Sequence, residues 1–154
     1  MSVNDELLKI NSTRFGEFEV RASAQIEFPS GLIGFPHASK FVLIEYTEPF
    51  SWLHCTHNPE LAFVVVNAAE FGENYNFDLP VGDRDLDLQE NDEVAVLNMV
   101  TVRPSLSDTT VNLKAPLVVN LRNRRGRQFI IDDARFSMRF PLWAAKEAAQ
   151  EPQK

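Results

Sequence analysis

Three clusters in this 154-residue chain have residue types that could do chemistry. His54-Cys55-Thr56-His57 holds the metal-ligand types, and zinc would need three or four such groups converging. On an extended strand His54 and Thr56 face one way and Cys55 and His57 the other, and the only further histidine is His37. A metal site is therefore not expected. A Cys55–His57 nucleophile pair would also need a group to orient the imidazole and an oxyanion hole, and neither is marked. The plain reading is a strand whose end reaches water.

The second cluster is acidic and runs from Asp83 through Asp85, Asp87 and Asp92 to Glu93. It lacks the Asp-x-Asp-x-Asp-Gly spacing and terminal Glu of a calcium loop, so it reads as a solvated strand and turn with Leu86 and Leu88 inward. The third is Arg122-Asn123-Arg124-Arg125-Gly126-Arg127. Clustered guanidinium groups at a hairpin tip can grip phosphates, which opens the alternative of a direct RNA-binding β-barrel using residues 122–127. No aromatic platform for stacking bases interleaves them, so an exposed loop kept soluble by charge is the simpler expectation.

The elements that must position these groups are strands. Aromatic and β-branched residues come in short runs closed by Pro, Gly, Asn and Asp: Thr13 to Val20, Gln25 to Phe28, Phe41 to Tyr46 and Trp52 to Thr56. Leu61 to Val66 and Val94 to Val102 are too apolar to have a wet face and belong at the centre of a core. Lys114 to Leu121 and Arg127 to Ile131 flank a turn whose Asn123 and Gly126 suit positive φ. The expected fold is mostly β: one antiparallel barrel-like or sandwich domain of eight to ten strands. Short helices are expected at residues 36–40, 68–75 and 141–150, with Pro141 at the first helical position. The whole of 1–154 is taken as one domain, its core at about 12–140 and a helical or flexible tail at 141–154.

Composition narrows the function. The net charge of −7 hides an acidic body, with 5 Lys and Arg against 17 Asp and Glu in residues 1–100, and a basic end, with 10 against 5 in residues 101–154. As separate surfaces, the first would attract basic proteins and the second acidic ones or nucleic acid. One cysteine allows no internal disulfide, which points to a reducing compartment. The acidic N-terminus is unlike a signal peptide, and the longest apolar run is far short of the roughly 20 residues of a spanning helix, so a cytoplasmic location without a membrane partner is expected.

Five segments in this order are more specific than any one alone: Thr13-Arg14-Phe15-Gly16, Phe28-Pro29-Ser30-Gly31-Leu32-Ile33-Gly34-Phe35, Pro49-Phe50-Ser51-Trp52-Leu53, the stretch Thr110 to Asn120, and Gly126-Arg127-Gln128. Together they resemble the FliW flagellar assembly factor family over roughly residues 12 to 132. The sequence departs from it at His54-Cys55 and between Ala68 and Leu79, and the tail after Pro141 looks private to this chain. The resemblance implies a protein without catalytic group or cofactor. Such a protein binds the translational regulator CsrA, relieves its repression of flagellin messenger RNA, and also binds flagellin, which competes for it.

No direct nucleic-acid contact is then expected, and the chain alone is expected to be monomeric. Within the resemblance, Gly31 and Gly34 permit positive φ twice and would display Leu32 or Phe35 for partner binding. Asn112, Pro116 and Asn120 mark a strand edge that could accept a partner or merely tie down turns. Asp83, Asp85, Asp87 and Glu93 are expected to face the basic regulator and repel its RNA.

Overall fold

The computed structural model describes residues 5–150; the outermost residues of the expected single domain, 1–4 and 151–154 of the tail, lie outside it. The chain enters as a hairpin, β1 (Leu7–Ser12) and β2 (Gly16–Arg21), which forms a two-stranded sheet of its own. The strand expected from Thr13 to Val20 is thus interrupted at its start. Ser12 Oγ accepts hydrogen bonds from the amides of Arg14 (3.2 Å) and Phe15 (3.0 Å), and Gly16 takes φ 72°, so Thr13 to Phe15 turn instead of extending.

Seven strands then close a barrel. They are β3 (Ile26–Glu27), β4 (Lys40–Glu45), β5 (Phe50–Cys55), β6 (Ala62–Asn67), β7 (Val94–Thr101), β9 (Leu117–Asn120) and β10 (Arg125–Gln128). Each of β3 to β7 pairs antiparallel with the next of these five, β9 pairs with both β7 and β10, and a parallel β10–β3 contact completes the ring. The far half of β7 pairs with β8 (Thr110–Val111), which in turn pairs with β11 (Phe140–Pro141). Among the described residues there are eleven strands rather than eight to ten. The excess comes from two-residue elements too short to show periodicity.

Two apolar clusters explain why some strands read as continuously hydrophobic. The barrel interior holds Ile26, Phe28, Phe41, Leu53, Val65 and Leu117 among others. A second cluster, with Val66, Phe71, Tyr75, Val111, Phe136 and Leu142, packs outside the wall. Val65 and Val66 are neighbours on β6 and point to opposite faces, so the strand is dry on both sides there, while Ala62 to Val64 are half-buried. Each such buried side chain contributes on the order of 1.5–3 kcal/mol.

The helix α1 (Leu142–Gln150) seals the second cluster with Leu142 and Ala145, three apart and both buried. Trp143 donates Nε1–H to the Leu106 carbonyl at 2.7 Å. Pro141 belongs to the edge strand before the helix, where its missing N–H costs nothing, and not to the first helical position. Residues 68–74 form the expected short helical segment, as 3₁₀ turns. Residues 36–40 do not: Ala38 N–H reaches the Phe35 carbonyl (3.1 Å) for a single turn, and β4 begins at Lys40.

Candidate protein-binding surface

Most of the segments singled out in the sequence converge beside one end of the barrel. Phe28 ends β3 in the interior, and the chain then folds into a tight turn in which Leu32 and Phe35 exchange both backbone hydrogen bonds (3.1 and 2.8 Å). Gly34 takes φ 85° at the third position of that turn, where an L side chain is strained. Gly31 has φ 70°, and a Cβ there would lie 2.4 Å from the Pro36 carbonyl oxygen, so only glycine lets the loop close on itself.

The loop is held from below by one side chain. Gln128 Oε1 accepts the Ile33 amide (2.8 Å) while its Nε2 donates to the Ala115 carbonyl (3.1 Å), joining the turn to the segment before β9. Asn112 Oδ1 caps that segment by accepting the amides of Lys114 (3.1 Å) and Ala115 (3.0 Å). Gly126 does not supply the positive φ expected of it. Arg124 does, at φ 58°, and Gly126 instead leaves room for Phe28, whose ring would sit 2.6 Å from a Cβ.

What this frame presents is apolar. Ile33 is 53% exposed and Phe35 42%, the latter resting edge-on against Phe63 at 5.2 Å between centroids. Leu32, the other candidate for display, is buried in the core. A hollow of about 400 Å³ adjoins the turn, lined by Phe35, Pro36, Ala38, His57, Pro59 and Leu61. Pro116 and Asn120 are buried too, and Asn120 spends its amide on the Leu86 carbonyl (2.9 Å), Asp92 Oδ2 (3.1 Å) and the Arg122 amide (3.0 Å). They shape the surface from within.

The acidic run and the arginines lie against each other instead of forming separate surfaces. Asp83 pairs with Arg127, and Asp85 accepts the Ser30 hydroxyl. Arg122 Nε bonds both oxygens of Asp92 (2.9 and 3.0 Å), and its Nη2 reaches the Asp87 carboxylate at 3.5 Å. Asp92 sits below the usual carboxylate range, first because it accepts the Gln89 amide and then because Arg122 and Asn120 donate to it. Leu86 is the fully buried anchor of this strap, which is turn and loop rather than strand, and Leu88 is half-buried. Glu93 stays exposed. The phosphate-gripping tip loses Arg122 and Arg127 to these partners.

The histidine cluster is also absorbed by the fold. His54 is buried beneath the β1–β2 hairpin, with Nδ1 donating to the Cys55 carbonyl (2.7 Å) and Nε2 accepting from Ser12 Oγ (2.8 Å). Cys55 is buried in the barrel interior, and that burial pushes its thiol up, away from the reactive thiolate. His57 accepts the Ser39 amide at 3.3 Å. No group of three or more His, Cys, Asp or Glu able to hold a metal occurs among the described residues.

Two contributors were missed in the sequence. Ile33 occupies the turn position before Gly34, which is solvent-facing in a two-residue hairpin loop, and that placement was the available signal. Gln128 stood in the quoted segment Gly126-Arg127-Gln128, but its bracing role was not readable, because its partners are the backbone of two distant loops.

Known proteins are similar to this chain over most of its length. The model of the family described as FliW protein matches residues 9–142, a wider span than the quoted segments. A flagellar assembly factor FliW of Geotalea uraniireducens is 36% identical over 146 residues, covering 93% of this chain and 89% of the relative. That of an Exiguobacterium species is 39% identical, covering 89% and 96%. That of Geobacter sulfurreducens, 32% identical, covers 96% of this chain and 94% of the relative. A crystal structure of the flagellar assembly factor FliW superposes with a TM-score of 0.80 at 29% identity, covering 88% of this chain and 96% of that one.

Proposed function

The chain belongs to the FliW family, and from that premise we propose that it is a flagellar assembly factor that works by occupying other polypeptides in the bacterial cytoplasm. Its partners are a CsrA-type translational regulator, whose repression of flagellin messenger RNA it relieves, and flagellin, which competes for it. Support for the partners comes from the family. Support for the manner of contact comes from this chain: the turn Leu32-Ile33-Gly34-Phe35 holds two apolar side chains out in water on a backbone fixed by Gly31, Gly34 and Gln128. Rigid display of this kind lowers the ordering cost of binding. A monomer suits this role, because the turn is then free. Among the described residues no helix is long and apolar enough to cross a membrane.

The same observation moves the contact away from the acidic strap. Asp83 pairs with Arg127, and Asp87 and Asp92 share Arg122, which lowers the charge the strap offers; among the described residues Asp85, Glu90 and Glu93 have no cationic partner and remain, with the net acidity of the body, to steer a basic partner. Titration of the purified chain with flagellin and with a CsrA-type regulator, singly and together, tests the reading. Saturable binding of each, with mutual displacement, is expected; failure to bind either overturns it.

A further inference from the structure

A second feature, on another side of the barrel, carries its own chemistry. A cleft of about 420 Å³ lies between the arginine hairpin and the strands β3 and β4, lined by Ser23, Glu27, Lys40, Arg122, Arg124 and Arg125 among others. Arg125, Glu27 and Lys40 stand in one cross-strand row, since Arg125 pairs with Glu27 on the parallel β10–β3 contact and Glu27 pairs with Lys40 on β3–β4. Arg122 is committed to Asp92 and Asp87. Among the described residues Lys40, Arg124 and Arg125 form no ion pair. Arg124 spends one Nη2–H on the Ala24 carbonyl (2.7 Å), and the Nε–H groups of both Arg124 and Arg125 are shut off from water without an acceptor. Three cations without an ion pair thus line one cavity, with Glu27 the single carboxylate in its wall among the described residues. Asp5 sits at the rim on Ser23 (3.0 and 2.7 Å), with the charge of Arg21 beside it.

We propose that this cleft binds a small oxyanion of the phosphate class. The cations exceed the lining carboxylate by two, which matches a dianion, and guanidinium groups that no carboxylate of the described residues has claimed match its oxygens. The chain has a steric reason to hold them there: Arg124 adopts φ 58° at the turn, a conformation a non-glycine residue rarely takes, and this places consecutive arginines at the mouth. Among the described residues no aromatic ring lines the cleft, so it suits a single anionic group better than stacked bases.

The test is titration of the full chain with inorganic phosphate at constant ionic strength set by chloride, followed by amide chemical shifts. Saturable shifts are expected in residues 22–27, 40 and 122–125. Lys40→Gln and Arg125→Gln should each weaken binding by roughly five- to tenfold, and Glu27→Gln should tighten it by a similar factor. The Glu27→Gln arm separates an anion site from a fold requirement, because loss of folding cannot increase affinity. A nucleoside monophosphate binding more tightly than inorganic phosphate identifies the ligand as a phosphate monoester; equal affinity identifies the free anion. No saturable shift in the cleft, or an affinity unmoved by both Lys40→Gln and Glu27→Gln, overturns the proposal.

Discussion

The turn at Leu32 to Phe35 and the strap at residues 83–93 both stand out in the sequence, one for its glycines and the other for its charge, yet the fold treats them in opposite ways. The strap spends its polar groups internally: Asp83, Asp85, Asp87 and Asp92 meet Arg127, Ser30 and Arg122. The turn spends its backbone internally and leaves Ile33 and Phe35 unspent. Formal charge in a sequence therefore says little about charge available to a partner, because surface ion pairs between distant segments cancel it. Exposed apolar groups on a turn braced from below are left for a partner, and a few such side chains carry most of the binding energy in protein interfaces.

That contrast can be broken most sharply at the turn. Ile33→Asp combined with Phe35→Asp should weaken capture of flagellin and of the CsrA-type regulator by about a hundredfold. Unfolding by urea should change by only about 0.5–1.5 kcal/mol, the contact of Phe35 with Phe63 being the part lost. Equal loss of binding and of stability would mean that these side chains are structural.

The frame beneath the turn should respond the other way. Gly31→Ala places a Cβ against the Pro36 carbonyl in a positive-φ backbone, and a destabilisation of about 2 kcal/mol or more is expected in the same urea measurement. Little of this frame was legible in the sequence. Two glycines three apart announced a turn, but that Gly31 is required by the Pro36 carbonyl and Gly126 by the Phe28 ring follows only from contacts between segments far apart in the chain. A mostly β domain with a strand buried on both faces was legible, since β6 left a continuous apolar run, but barrel and sandwich both stayed open; also legible was the dispersed fate of His54 and Cys55, which fell to opposite faces of one strand. The two-residue strands β8 and β11 were too short to show alternation, and the pairing of acids with arginines depends on a topology that charge counts do not contain.

Smaller effects are expected at the strap. Arg127→Ala or Asp83→Ala should cost no more than about 1 kcal/mol, because Arg127 remains 43% exposed, and partner affinity should change less than twofold. A large loss of affinity on these changes would restore the strap as a contact surface.

The smallest expected effect is on pH. Asp92 is held below its ordinary value of 3.8 in the folded chain, so its contribution is fully present above that value. It fades as pH falls through the lowered one, where the folded carboxylate finally takes up its proton. Amide exchange of residues 86–93 should accelerate as pH falls below about 4 relative to the intrinsic rate, and Asp92→Asn should flatten that dependence. A strap whose protection is unchanged by acid would show that Leu86 alone holds it down.

The central claim is that this family member acts through the barrel-end turn, and hydrogen-exchange footprinting of the chain bound to flagellin and bound to a CsrA-type regulator tests it most directly. Protection is predicted at residues 31–38 and 57–61, with residues 83–93 unchanged. Protection confined to the strap or to the arginine hairpin, with the turn exchanging as in the free chain, would contradict it.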